Sequence, residues 1–265
     1  MTAPQVTSSE LVFLLRSSSA VPPVEVHCLG EFRIAMAGAP VELSGIRPKA
    51  RELLRLLAAH AGRPVHEEIL MESLWPTLRP EAARRSLQVA VSTVRKLLEP
   101  DAGRGQSQLV RRTGSAYVFD APAGSYCDTR VFRDAATQLR RRSDGPLHER
   151  RRLMRTALDT YGGELLPGDG PADWVLDERS WFTGEAARIA IGLAELELRA
   201  GDGVAAAAAA ERAVHTDPYR DQGWRLLIAA HQSLSDAAAE TQARQRYADI
   251  LADLGVSAPR RTRAR

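Results

Sequence analysis

The sequence predicts a mostly α-helical protein in two parts, with short β-strands and three helices in the first part and helices alone in the second. Apolar residues alternate over "VEVHCLGEFRI" and again on both sides of Gly114, which is the period of strands. Between these segments, and beyond residue 126, the apolar period is that of helices. A chain of 265 residues is also long enough for two domains with separate cores.

The chain opens with an arm and two or three short strands. Residues 1–23 are rich in Ser, Thr and Pro, which predicts a flexible N-terminal arm. The strands are predicted over "VEVHCLGEFRI" and, after a Gly/Pro turn, over "GAPVELS".

Three helices are predicted next. In "RPKARELLRLLAAHAG" the apolar residues form a one-sided stripe, Pro48 suits the first helical turn and Gly62 suits the stop. The second helix, "HEEILMESLW", ends at Pro76, and His66 is a candidate cap for its start. The third helix has Pro80 in its first turn and continues over "EAARRSLQVAVSTVRKLLEP".

A β-hairpin ends the first part. The stretch "LVRRTGSAYVFDA" alternates around Gly114, as hairpin strands do around a tight turn. Strands, three helices and a hairpin, in this order, are the elements of a winged helix-turn-helix. We therefore predict a winged-helix domain over residues 24–122, with the hairpin as its wing.

The second part, residues 126–258, is predicted to be an all-α domain of TPR-like helical repeats. Counted from Ala187, the pairs Gly201-Asp202 and Asp217-Pro218 fall at the turn and stop positions of a tetratricopeptide unit, and Trp224 opens a further unit. Residues 259–265 are predicted to be a basic tail. The predicted helix starts lie near Asp128, Leu147, Trp174, Asp202, Tyr219 and Ala237.

Charge is divided unevenly between the two parts. Residues 47–116 carry 13 Lys/Arg against 7 Asp/Glu, a balance of +6, whereas residues 126–258 carry 17 Arg against 21 Asp/Glu, a balance of −4. This asymmetry favours an anion-binding module joined to another domain, although solvated surfaces without a partner give similar counts. The two cysteines, Cys28 and Cys127, lack metal-ligand spacing and fit a reducing cytoplasm. No segment has the length and hydrophobicity of a membrane span.

The outward face of the third helix has the composition of a surface that reads DNA. Arginine and glutamine offer bidentate hydrogen bonds to guanine and adenine, valine offers a methyl contact to thymine, and Ser or Thr reaches bases or phosphates. Lysine and the flanking arginines suit phosphates. A solvated helix with several arginines is the alternative. The predicted major-groove residues are Arg84, Arg85, Gln88, Val89, Ser92, Thr93, Arg95 and Lys96.

Two further basic elements favour DNA as the partner. The hairpin tip carries Arg111, Arg112 and Thr113, which suit a minor groove or a phosphate backbone, and the first helix opens with Arg47 and Lys49. No phosphate-binding loop, nucleophile elbow, HExxH helix or paired-cysteine ligand set occurs, so neither an enzyme nor a bound cofactor or metal is expected.

These motifs together resemble those of the Streptomyces antibiotic regulatory protein (SARP) family, in which an OmpR-type winged helix precedes a bacterial transcriptional activator domain. The resemblance extends from about Val24 to about Pro259. One departure lies in the wing, where the family commonly has Gly-x-Gly-Tyr and this chain has Gly114-Ser115-Ala116-Tyr117. The matching stretches are "LGEFRI", "RPKARELLRLLAAHAGRPVHEEILMESLWP", "EAARRSLQVAVSTVRKLL", "DTRVFRDA", "YGGELLPG" and "AERAVHTDPYRDQGWRLLIAAH".

The resemblance implies a cytoplasmic transcriptional activator without catalytic activity, whose third helix enters the major groove of promoter DNA. It implies a homodimer on direct repeats near the −35 region, contact with RNA polymerase holoenzyme including its σ subunit, and control of a biosynthetic gene cluster. By the same resemblance, the turn "WPTLRP" is the polymerase-contact loop, with Trp75, Thr77, Leu78 and Arg79 as candidate residues.

Three other functions remain open from the sequence. The helical half can be a scaffold that binds a protein in its groove, with DNA contact incidental. A repressor would use the same winged helix on a differently placed operator. A hydrolase without a recognisable motif is the third.

Overall fold

The structure, a computed structural model, describes residues 21–103, 105–142 and 145–255. Within these residues the chain divides into two compact units, one of residues 33–126 with the chain up to Val26, the other of residues from Cys127 onward with the segment His27–Phe32. The predicted arm lies outside the described residues except for 21–23, and so does the predicted tail. None of the described helices is both long and apolar enough to cross a membrane.

The first unit has the predicted order of strands, three helices and hairpin, and the predicted fold class is confirmed. The strands form two sheets, with orders β3-β2-β1-β7 and β4-β6-β5. The elements are β1 (Val24–His27), β2 (Arg33–Met36), β3 (Ala39–Pro40), α1 (Pro48–Ala59), β4 (Val65–His66), α2 (Glu67–Leu74), α3 (Pro80–Leu98), β5 (Val110–Thr113), β6 (Ala116–Phe119) and β7 (Tyr126–Cys127).

The core of the first unit lies between the three helices and the hairpin. Leu53, Leu57 and Leu70 are fully buried, and Leu87 and Val94 bring the inward stripe of α3 onto them. The predicted boundaries follow from local chemistry: α1 and α3 each have proline in the first turn, and the His66 side chain accepts a hydrogen bond from the Glu68 N–H at the start of α2 (3.3 Å).

The second unit contains helices and one short 3₁₀ turn in its described part. Neighbouring helices along the chain pack against each other, as expected of short connections. The elements are α4 (Asp128–Arg141), α5 (Leu147–Thr160), the 3₁₀ turn (Pro167–Asp169), α6 (Asp173–Arg199), α7 (Gly203–Thr216), α8 (Asp221–Ser233) and α9 (Ala237–Asp253).

Two of the helix connections in this unit are nearly identical. Asp202 caps α7 by accepting from the Ala205 N–H (2.9 Å), and Asp236 caps α9 by accepting from the Ala239 N–H (3.0 Å). The caps have φ, ψ of −89°, 81° and −89°, 84°, and the residue before each has positive φ. The two caps lie 34 positions apart in the sequence, so one connection repeats the other.

The segment His27–Phe32 joins the second unit through buried backbone hydrogen bonds, which apolar alternation does not reveal. The Asp128 carboxylate accepts from the N–H groups of Cys28 (2.7 Å) and Leu29 (2.8 Å), and the Leu166 N–H donates to the Cys28 carbonyl (2.9 Å). The carbonyl of Leu29 lies 2.8 Å from where a Cβ would stand on Gly162, so only glycine fits at that position.

Candidate nucleic-acid interface

The α3 helix separates its residues into a buried stripe and an exposed face as its periodicity predicts. The buried residues are Ala83, Leu87, Ala90, Val91, Val94 and Leu98. On the opposite face Arg84, Arg85, Gln88, Val89, Ser92 and Lys96 are exposed, and Thr93 and Arg95 are half-buried. Val89 leaves 53% of its surface in water, so its methyl groups are accessible on this face.

A depression of about 480 Å³ lies beside this face and brings predicted residues from three elements together. Its lining includes Arg47 and Lys49 from the start of α1 and Arg85, Val89 and Thr93 from α3. The N-terminus of α1 carries the positive end of the helix dipole, so this end of the depression favours an anion. Trp75, which was predicted for the polymerase-contact loop, also lines the depression.

The remaining loop candidates occupy the turn between α2 and α3. Thr77, Leu78 and Arg79 are exposed, and the Leu78 N–H closes the turn by donating to the Trp75 carbonyl (3.1 Å). Arg79 is the residue immediately before α3, and Pro80 follows it at the first helical position.

The wing is a regular hairpin despite its departure from the family pattern. Thr113 pairs with Ala116 and Arg112 with Tyr117, which leaves Gly114 and Ser115 as a two-residue turn. Gly114 has a φ of +60°, as a type II′ turn requires at its first position, and Ala116 needs no positive φ because it belongs to β6.

Several predicted DNA-contact arginines have partners within the protein. Arg84 donates to Glu67 (3.0 Å), Arg95 donates through Nε to the Val110 carbonyl (2.9 Å), and Arg111 pairs with Asp120. Arg112 donates both to the Gly114 carbonyl (3.1 Å) and to Glu67 (3.4 Å).

The other predicted DNA-contact residues also divide into those with a partner within the protein and those without one. Thr93 donates its hydroxyl to the Val89 carbonyl (2.9 Å), and Lys49 pairs with Glu52 (2.6 Å). Within the part of the chain that the structure describes, the polar side chains of the predicted DNA-contact set that make no hydrogen bond or ion pair are Arg47, Arg85, Gln88, Ser92, Lys96 and Thr113.

Two acidic residues of this region were missed by sequence reasoning. Glu67 links α2 to Arg84 and Arg112, and Glu99 at the end of α3 accepts from the N–H groups of Gln108 (2.9 Å) and Leu109 (3.1 Å). Glu67 follows a strand and precedes an apolar stripe, so its only local signal is that of an acidic first helical turn. Its partners are 17 and 45 positions away, where periodicity carries no information.

Comparison with known families matches both units. The model described as "Transcriptional regulatory protein, C terminal" matches residues 40–119, and the model described as "Bacterial transcriptional activator domain" matches residues 127–265, which is over half of the chain.

Two regulatory proteins are similar to this chain. The transcriptional regulatory protein EmbR of Mycobacterium tuberculosis is 28% identical over 243 residues, 91% of this chain and 61% of that protein. The regulatory protein AfsR of Streptomyces coelicolor is 31% identical over 121 residues, 46% of this chain and 12% of AfsR. The chain therefore spans only 61% of the length of EmbR.

A solved structure shares the fold. It is that of M. tuberculosis EmbR in complex with a low-affinity phosphopeptide, with a TM-score of 0.67, 24% identity, and coverage of 89% of this chain and 61% of that one. The chain thus belongs to the bacterial transcriptional activator domain family, and it is similar to EmbR and AfsR, which are regulators of the SARP type.

Proposed function

We propose that this protein is a sequence-specific DNA-binding activator, acting in the cytoplasm, that docks on promoter direct repeats near the −35 region as a homodimer. In this proposal α3 enters the major groove, bound protein recruits RNA polymerase holoenzyme through contacts that include σ, and the regulated genes form a biosynthetic cluster. Membership of the family supports four parts of this proposal: binding to direct repeats, the homodimer, the contact with polymerase and the control of a biosynthetic gene cluster.

The observation that carries the proposal is the set of unpaired polar side chains on one exposed face. Arg85, Gln88 and Ser92 point outward from consecutive turns of α3, and Arg47 approaches the same depression from α1. These side chains combine base-reading and phosphate-binding chemistry, and none of them has a partner among the residues that the structure describes. Exposed Val89 adds the methyl groups that a thymine contact needs.

Trp75 and the turn that follows it receive different roles. Because Trp75 lines the depression with Arg85 and Val89, we assign it to the DNA-facing surface. Thr77, Leu78 and Arg79 are exposed on the turn and remain the candidates for polymerase contact. Leu78 is 42% exposed and supplies an apolar side chain for a protein partner.

The second unit is proposed to be TPR-like. Tetratricopeptide units repeat every 34 residues, and the capped connections at Asp202 and Asp236 have this spacing and the same backbone geometry. Such helical pairs form surfaces for protein partners, which supports polymerase contact by this unit.

Replacing Arg85 by alanine is expected to weaken binding to the target by roughly 1–3 kcal/mol, because one bidentate base contact is lost. A nuclease footprint over the promoters next to the protein's own gene identifies the target duplex. Titration of that duplex with wild-type protein and with the variant measures the loss of affinity. In transcription with purified polymerase, wild-type protein is expected to raise the yield from that promoter and the variant to raise it less.

The matched control is Arg199→Ala, which removes the same charge from an exposed side chain of α6. We expect it to bind as wild type does. Protection that is absent for wild-type protein, or equal loss of affinity in both variants, contradicts DNA reading by α3. A lowered transcript yield with footprinting intact contradicts activation and supports repression.

A further inference from the structure

Glu67 connects three parts of the first unit. It is the first residue of α2 and is only 8% exposed. One carboxylate oxygen accepts from Nη2 of Arg84 on α3 (3.0 Å) and the other accepts from Nη2 of Arg112 on the wing (3.4 Å). The Glu67 backbone N–H donates to the Ser115 carbonyl in the wing turn (2.8 Å). One buried residue therefore bonds both to α3 and to the wing, the two elements whose arginines are predicted to contact DNA.

The two arginines keep donors for a second partner while they contact Glu67. Each guanidinium carries five N–H donors in a planar fork. Arg84 uses a terminal nitrogen on Glu67, and Arg112 uses a terminal nitrogen there and its Nε on the Gly114 carbonyl (3.1 Å). Both side chains remain about half exposed, so Glu67 holds each guanidinium by one edge and leaves another edge toward solvent.

Stability alone gives a weak reason for this arrangement. Ion pairs with half-exposed arginines contribute little net stability, because burying the carboxylate costs desolvation energy that offsets the attraction. The carboxylate also places a negative charge beside a surface whose proposed partner is a polyanion, which opposes binding to any DNA. A gain in orientation can offset this cost, since two flexible arginines held in advance lose less entropy when they bind.

We propose that Glu67 is a positioning residue for DNA specificity: it fixes the orientations of Arg84 and Arg112 relative to each other, so that both are matched only by the target duplex. Its charge weakens the contact with arbitrary DNA, where the two arginines cannot be satisfied together. This role rests on the proposed DNA-binding function and adds a residue that has no DNA contact of its own.

The test compares wild-type protein with Glu67→Gln, which keeps the side-chain size and the backbone bond to Ser115. The probes are a duplex that wild-type protein selects from a random pool and a scrambled duplex of the same base composition. We expect the ratio of the two affinities to fall roughly tenfold, the size of coupling between contacting charged groups. The selected duplex is expected to dissociate faster from the variant than from wild-type protein. The scrambled duplex is expected to bind the variant as tightly as it binds wild-type protein, or more tightly.

The control is Glu68→Gln, which removes the same charge one position later. Glu68 has a side chain that is 78% exposed and lies 3.6 Å from His66, with no arginine of the interface as its partner. We expect this variant to retain the wild-type affinity ratio. In an Arg84→Ala, Arg112→Ala background, Glu67→Gln is expected to change the ratio no further, because Glu67 acts through these two side chains.

The outcomes distinguish failure of the proposed DNA-binding function from failure of the positioning role of Glu67. If wild-type protein enriches no duplex from the pool, the proposed function is overturned and the role of Glu67 with it. If wild-type protein discriminates but Glu67→Gln keeps the ratio, or Glu68→Gln lowers it equally, only the positioning role is overturned. A Glu67→Gln effect that persists without the two arginines also overturns it, since it then reflects general damage to the fold.

Discussion

Replacing Asp128 by alanine is expected to destabilise the second unit by roughly 2–5 kcal/mol, since each buried donor left without a partner costs roughly 1–3 kcal/mol. Asp128 is 1% exposed and its carboxylate accepts from the N–H groups of Cys28 (2.7 Å), Leu29 (2.8 Å) and Thr129 (2.6 Å). Alanine leaves all three N–H donors without their acceptor, and the segment His27–Phe32 loses its hydrogen bonds to the Asp128 side chain. Chemical denaturation measures the loss, and hydrogen exchange at Cys28 and Leu29 locates it.

Two control variants test whether the loss of stability comes from the buried hydrogen bonds of Asp128. Asp134→Ala removes an exposed carboxylate from the same helix and is expected to leave stability and exchange unchanged. Asp128→Asn keeps one acceptor oxygen, so it is expected to lose less stability than alanine. Equal exchange rates at Cys28 and Leu29 in wild type and Asp128→Ala contradict the anchoring role.

The Asp128 carboxyl also gives the stability of the wild-type protein a defined pH dependence. Burial raises the pKa of the Asp128 carboxyl above its ordinary value and outweighs the three backbone N–H groups, which favour the charged form. The folded protein then binds this proton more tightly than the unfolded chain does. Its contribution to stability is complete below the unfolded pKa and is lost as the pH rises through the folded pKa, and the asparagine variant is expected to lack this decline.

Replacing Glu99 by alanine is expected to destabilise the first unit by roughly 2–4 kcal/mol, because the buried Leu109 N–H and two partly buried donors lose their acceptor. Glu99 follows α3, where the helix dipole disfavours a negative charge, so its hydrogen bonds must offset that cost. Its carboxylate accepts from the Ser107 hydroxyl and from the N–H groups of Gln108 (2.9 Å) and Leu109 (3.1 Å). These residues lead directly into β5, so the variant is expected to loosen the wing and to weaken DNA binding as well.

Exchange of the Gln108 and Leu109 amides, followed with denaturation, checks this expectation. Asp101→Ala is the matched control because it removes an exposed negative charge near the same helix end. We expect the control to be neutral or slightly stabilising. If both variants lose the same stability, the charge near the helix end explains the effect and the anchoring role of Glu99 is wrong.

Local patterns predicted the helices and the hairpin well, because burial on one face leaves a periodic trace. The stripe through Leu87 and Val94 placed the exposed face of α3 correctly, and Gly114 marked the turn of the wing. Such patterns cannot show polar contacts between distant positions. Asp128 lies about 100 positions from Cys28 and Leu29, so the grouping of His27–Phe32 with the second unit could not be predicted.

The same limit applies to the candidate site. Sequence reasoning grouped all basic residues of the third helix and the wing by composition. The structure divides them, because Arg84, Arg95 and Arg112 hold the wing and the helix together while Arg85 and Lys96 have no partner among the described residues. Only the contacts in the structure show which arginines already have a hydrogen-bond partner within the protein.

The most direct test of base reading by α3 uses a series of duplexes, in each of which one base pair of the selected duplex is substituted. Each duplex is titrated with wild-type protein and with the Gln88→Ala variant. Gln88 is exposed and unpaired among the described residues, so its removal leaves the fold intact. Wild-type protein is expected to lose roughly 1–3 kcal/mol on substitution at the pair that Gln88 contacts. The variant is expected to be indifferent at that pair and to keep the wild-type profile elsewhere. Profiles that coincide at every position would contradict base reading by this face.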